Sequence, residues 1–172
     1  MYKIGDNVVY GSNGVMTVID IREEMVGDAA RSYYVLKAPV GHRDSLTFVP
    51  VDNEKLVEAM RPLLSREELI YMISYMDSVP EAEWIKDNRA RSDKYKKIIE
   101  SGDRDSIIAM IKAICASGVR REEEGKKNFL ADEALMHKAE HVLYSEFACV
   151  FGIPEEDVPA FIVEQKEKLK TI

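Results

Sequence analysis

Apolar and polar positions follow two different periods along this chain, and the change comes near Pro50. Before it, apolar side chains arrive in short runs at 7–10, 15–22, 32–38 and 46–49, rich in Val, Ile, Tyr and Thr and broken by Gly, Asp and Pro. β-branched and aromatic residues suit a pleated surface, and the breaking residues supply turns. The pattern therefore predicts a small antiparallel barrel or meander. Val26-Gly27-Asp28 reads as one hairpin loop and Gly41-His42-Arg43-Asp44 as another.

After Pro50 the period is helical. Ser65-Arg66-Glu67-Glu68 forms a capping box, in which the Ser65 hydroxyl serves the helix start and Glu68 reaches back. Leu69, Met72, Ile73 and Met76 then share one stripe. Pro80 heads a second predicted helix, with Glu81 and Glu83 in its first turn, running to about Glu100 and stopping at Ser101-Gly102. Asp103 caps a third, with Ile107, Ile108, Ile111 and Ile114 as its buried face and Gly118 as its end. Residues 120–128 are a polar connection or helix extension. A long helix follows over 132–151, apolar at Leu135, Ala139, Val142, Leu143, Phe147 and Val150, and Gly152 closes it. Pro154 opens a last helix, apolar at Val158, Phe161 and Ile162, and 166–172 is the part open to fraying. The fold class is α+β in two domains: a β-barrel domain at 1–53 and an all-α domain at 54–172.

Composition narrows the function. Of 172 residues, 46% are hydrophobic, yet no run approaches the roughly 18 apolar residues of a membrane span. No basic-then-apolar leader opens the chain, so a cytoplasmic protein without a membrane partner is expected. Cys115 and Cys149 fall within helical apolar patterns and read as reduced core thiols. A net charge of −7 argues against coating nucleic acid through bulk electrostatics, so any DNA contact must be local.

Few motifs carry chemistry. His137-Lys138-Ala139-Glu140-His141 has the letters of an inverted zinc-protease helix, and its two histidines share a face. They point away from the apolar stripe and lack an evident third ligand, so no metal site is expected. No Gly-x-Ser-x-Gly, phosphate-binding glycine loop or Cys-x-x-Cys occurs, which leaves enzymatic catalysis and cofactor binding without support. The segment 84–97 is different. It holds Lys86, Arg89, Arg91, Lys94, Lys96 and Lys97 against Asp87 and Asp93, a local +4, with the sole tryptophan, Trp84, at its head. Cations beside one flat apolar side chain are the parts needed to grip a duplex and wedge against a base step. Helical spacing also places Trp84, Asn88, Arg91, Tyr95 and Ile98 on one seam, so Trp84 as a core aromatic beneath a solvated basic face stays open.

The start Lys3-Ile4-Gly5-Asp6-Asn7-Val8-Val9-Tyr10 is how many SH3-like or Tudor-like barrels begin, and such barrels usually bind. Together with Gly14, Tyr34-Val35-Leu36-Lys37 and Leu46-Thr47-Phe48-Val49-Pro50-Val51-Asp52-Asn53, it resembles the N-terminal module of the bacterial CarD/CdnL family, shared with the transcription-repair coupling factor. Trp84, Arg89-Ala90-Arg91, Lys94-Tyr95-Lys96-Lys97, Ser101-Gly102-Asp103 and 133–147 extend the resemblance over about 2–150. It implies a non-enzymatic transcription regulator whose Tudor-like domain docks on the β-subunit lobe of RNA polymerase. It also implies a helical domain touching promoter DNA at the upstream edge of the bubble, and a monomer is expected. On that resemblance Trp84 wedges into the minor groove, while Lys86, Arg89, Arg91, Lys94 and Lys97 hold phosphates. Departures from the family pattern are Gly11-Ser12-Asn13, acidic Glu23-Glu24, and Phe48 where some members carry a polymerase-contacting arginine. An apolar contact through Met25 and Phe48 is the expected substitute, with Thr47 also at the polymerase contact. Ala131 replaces a common capping Ser, a change worth about 1 kcal/mol. The rival reading is a protein–protein adaptor that binds polymerase or another partner without touching DNA.

Overall fold

The computed structural model describes residues 1–39 and 46–171, so the hairpin expected at Gly41 to Asp44 lies outside them. Two units separate between Leu63 and Leu64. That boundary falls later than the change of period at Pro50, because a short helix and one more strand belong to the first unit.

In the first unit, β1 (Asn7–Tyr10), β2 (Val15–Val26), β3 (Ala29–Lys37) and β4 (Leu46–Pro50) precede helix α1 (Glu54–Glu58) and strand β5 (Met60–Pro62). They form one antiparallel sheet in the order β4-β3-β2-β1-β5, the Tudor-like module the sequence implied. β5 was invisible to periodicity, since three residues carry no alternation; it is fixed by pairing Met60 with Tyr10 and Pro62 with Val8. β2 runs past Arg22 through the acidic pair to Val26, which pairs with Ala29 across the turn. Gly27, at φ 65°, supplies the left-handed first position that such a two-residue turn requires. Val8, Met16, Val18, Tyr34, Leu36, Val49 and Met60 make the core. Tyr2 packs edge-on against Tyr34, and its hydroxyl donates to the Met60 carbonyl.

The second unit holds α2 (Arg66–Tyr75), α3 (Asn88–Ser101), α4 (Arg104–Glu123), α5 (Leu130–Phe151) and α6 (Val158–Lys170). Both halves of the Ser65–Glu68 capping box form. Leu69, Met72, Ile73, Tyr95, Ile99, Ile107, Met110, Leu135, Val142 and Phe147 are among its buried side chains. Glu146 is also buried. Its carboxylate accepts from the Leu64 amide at 2.8 Å and from Arg104 at 2.8 and 2.6 Å, so the charge enters the core fully bonded.

Several expectations are corrected here. The second helix begins at Asn88, capped by Asp87, rather than at Pro80. The carbonyls of Ile85 and Lys86, which a helix would use internally, instead accept from the Arg91 side chain at 2.7 and 3.5 Å. Residues 80–87 are therefore irregular, with a bend at Lys86 and Asp87 and the Ala82 amide bonded to the Ala109 carbonyl. α4 does not stop at Gly118 but continues to Glu123; a Cβ at Gly118 would sit in van der Waals contact with the Asn128 amide. α5 begins at Leu130 with Phe129 at its cap, so Ala131 lies in the first turn and no capping energy is lost there. Residues 166–170 are helical, held in part by a 2.6 Å Lys166–Asp77 ion pair. Cys115 and Cys149 are free thiols on exposed positions, off the stripes that bury Ile114 and Phe147, and are not core residues.

Candidate nucleic-acid interface and sheet face

Trp84 stands on the irregular segment just before α3 and is partly buried. The Arg91 guanidinium lies over its ring, 4.3 Å from the centroid, and 5.0 Å from the Phe129 centroid. Arg121 covers Phe129 in turn at 3.9 Å. Desolvated cation–aromatic contacts of this kind are worth up to about 2 kcal/mol each. Beside them Trp84, Phe129, Ile114, Cys115, Asp132 and Met136 line a hollow of about 310 Å³.

Arg91 itself is corrected. It is only 1% exposed, so its charge is not available to a phosphate. Its Nε donates to Asp132 at 3.0 and 3.2 Å, and Nη2 donates to Asp132 at 2.8 Å and to Asn88 at 2.9 Å. Asp132 is 4% exposed, so this is an enclosed, bidentate charge pair. On α3 the same face buries Tyr95, whose hydroxyl is enclosed without a hydrogen-bond partner among the described residues. Burial pushes the Tyr95 phenol above its ordinary pKa; Arg91 opposes that shift and Asp132 adds to it.

Lys86, Arg89, Lys94 and Lys97 are all exposed. They do not form one patch around the indole. Lys86 is two residues from Trp84, whereas Arg89, two residues before Arg91, leaves α3 on nearly the opposite side from the buried seam.

On the first unit, Phe48 is 41% exposed on edge strand β4. Tyr33 meets it edge-on at 6.4 Å, and the Arg22 guanidinium sits 5.8 Å from its centroid while pairing with Asp20 at 3.0 Å. Directly opposite residues share a face, so the register sorts the three expected contacts. Phe48 pairs with Val35, whereas Thr47 pairs with Leu36 and Met25 with Ala30. Phe48 thus lies on one face, and Thr47 and Met25, the latter 68% exposed near the hairpin tip, lie on the other. No single apolar spot unites them.

The two histidines face different carboxylates, His137 toward Glu140 at 3.3 Å and His141 toward Glu155 at 2.7 Å. Among the described residues no three His, Cys, Asp or Glu side chains gather as metal ligands, and no helix is long and apolar enough to cross a membrane. The sequence reading missed Phe129, Arg121 and Asp132. They come from α4, α5 and their connection, and no local spacing marks a partner forty-one positions from Arg91.

Residues 2–64 match the CarD-like/TRCF RID domain, a stretch that coincides with the first structural unit and its final strand. Over 164 residues, 94% of this chain and 99% of the relative, the chain is 21% identical to the "Putative transcription factor YdeB" of Bacillus subtilis (strain 168). The family suggests a transcription-related, RNA polymerase-interacting protein and a non-enzyme. The N-terminal unit, with its five-stranded antiparallel sheet, is thus similar to the CarD-like/TRCF RID domain over its whole length.

Proposed function

We propose that this protein is a transcription regulator that binds the β-subunit lobe of RNA polymerase and prolongs the promoter open complex. The first unit anchors, with Phe48 and its Tyr33 and Arg22 neighbours as the contact and Thr47 and Met25 on the reverse face. The second unit meets DNA in the minor groove at the upstream edge of the bubble. One observation carries that assignment: the sole tryptophan is neither sealed in the core nor loose, but partly buried on an irregular segment with Lys86 two residues on. A flat ring lodged in a distorted fork penalises re-annealing, so the melted state lasts longer. Lys86, Arg89, Lys94 and Lys97 supply phosphate contacts, whereas Arg91 does not. Tethering to polymerase raises the local concentration enough for a protein of charge −7 to use weak DNA affinity.

Trp84→Ala tests this directly: polymerase binding should persist while open-complex lifetime falls, and an unchanged lifetime removes the wedge. The adaptor reading, without DNA contact, is favoured by one observation, the commitment of Arg91 to an internal pair. Salt dependence separates the two. Phosphate contacts give promoter complexes a steeper slope, by about one unit per neutralised phosphate, and an adaptor leaves the slope unchanged.

A further inference from the structure

We propose that Arg91 is a positioning residue for Trp84: its guanidinium, neutralised by Asp132, fixes the indole in the orientation that meets DNA. This rests on the DNA reading for its consequence, though the orientation itself does not.

Arg91 has three distinct grips, and together they account for all its nitrogen atoms. Nε and Nη2 engage Asp132. Nη2 also reaches Asn88, at the start of α3. Nη1 donates to the carbonyl of Ile85, the residue directly after Trp84, at 2.7 Å. One planar side chain thus holds both the backbone that carries the indole and the face of the indole ring. Phe129 lies beneath the same guanidinium and Arg121 beyond Phe129, so the stack is backed from the α4–α5 side.

The chemistry explains why arginine suits this place. Lysine offers a point charge with three donors and no plane, so it cannot stack on two rings while bonding a carboxylate through two nitrogens. Asp132 is needed because an uncompensated guanidinium would not remain among two aromatic rings and a buried helix face. A desolvated cation–aromatic contact favours the stacked orientation by roughly thirtyfold over an unstacked one. An irregular segment of eight residues, with Ala82 bonded to Ala109, would otherwise leave the ring to be held by its own side-chain packing at the first contact with a fork.

The chain carries its own probe, since Trp84 is its sole tryptophan. The informative variant is the double substitution Arg91→Met with Asp132→Leu, which removes the cation and leaves no buried charge behind. Its tryptophan emission should shift to the red and become more accessible to acrylamide, and its open-complex lifetime should fall toward that of Trp84→Ala while polymerase binding persists. Arg91→Lys should not restore either property. Phe129→Leu, which keeps the ion pair, should move emission in the same direction by less, and it serves should the double variant not fold. Unchanged emission and quenching in the folded variants, or full restoration by lysine, overturns the proposal. A shifted emission with an unchanged lifetime upholds the positioning role and removes the DNA reading instead.

Discussion

Tyr95→Phe should make this protein more stable, although it deletes a polar group from a wholly enclosed residue. The Tyr95 hydroxyl has no partner among the described residues, so folding strips its water and returns no hydrogen bond. Such a loss costs about 1–3 kcal/mol. Replacing the hydroxyl by hydrogen leaves a void no larger than one oxygen, worth a few tenths of a kcal/mol at about 24 cal/mol per Å³. The net gain is therefore about 1–2 kcal/mol. In a unit of about a hundred residues, each kcal/mol raises the melting temperature by about 4–8 °C. Trp84 lies in the same unit as Tyr95, so guanidinium unfolding followed by tryptophan emission reports the helical unit alone. pH supplies a second readout. Burial raises the folded-state pKa of Tyr95, so its contribution is fully present below about pH 10, the unfolded value, and is lost as pH rises through the folded one. Tyr95→Phe should flatten part of that alkaline loss. A variant less stable by 1 kcal/mol or more would refute the reasoning, because the hydroxyl would then have a partner.

Glu146→Ala should cost about 3–5 kcal/mol, toward the low end because the Arg104 side chain it abandons is 19% exposed and can be rehydrated; denaturant titration of the helical unit measures it, and a loss below 1 kcal/mol would contradict the network. Ser65→Ala should cost about 1 kcal/mol through loss of the α2 cap, read by the same titration. The Ser65 backbone and side chain hold the Glu68 carboxyl below its ordinary pKa. Its contribution is thus present above about pH 4.3, the unfolded value, and lost as pH falls through the folded one. Glu68→Gln should remove that acid limb, and an unaltered acid profile counts against the capping box.

The sheet and helices were legible because each obeys a local rule. Val8-Val9-Tyr10 and Tyr34-Val35-Leu36 alternate into a core, and Ser65, Asp103 and Gly102 mark helix ends by chemistry confined to a turn. β5 was not legible, because its three residues gain a strand conformation only from β1. The start of α3 failed for a related reason: Pro80, Glu81 and Glu83 are good opening residues, but Arg91 draws the 85–86 carbonyls out of helical use. At the site, Trp84 and its exposed cations could be picked out as a composition. The role of Arg91 could not, since the same letter is a phosphate ligand when solvated and a brace when paired with Asp132.

That pairing has a genetic corollary. On the proposed DNA reading, a selection for shortened open-complex lifetime would return lesions at Asp132 with the phenotype of lesions at Trp84, though this carboxylate is buried. Mapping such alleles onto a linear sequence would stretch the proposed DNA-contacting segment into α5, a helix that would contribute to it through one buried carboxylate.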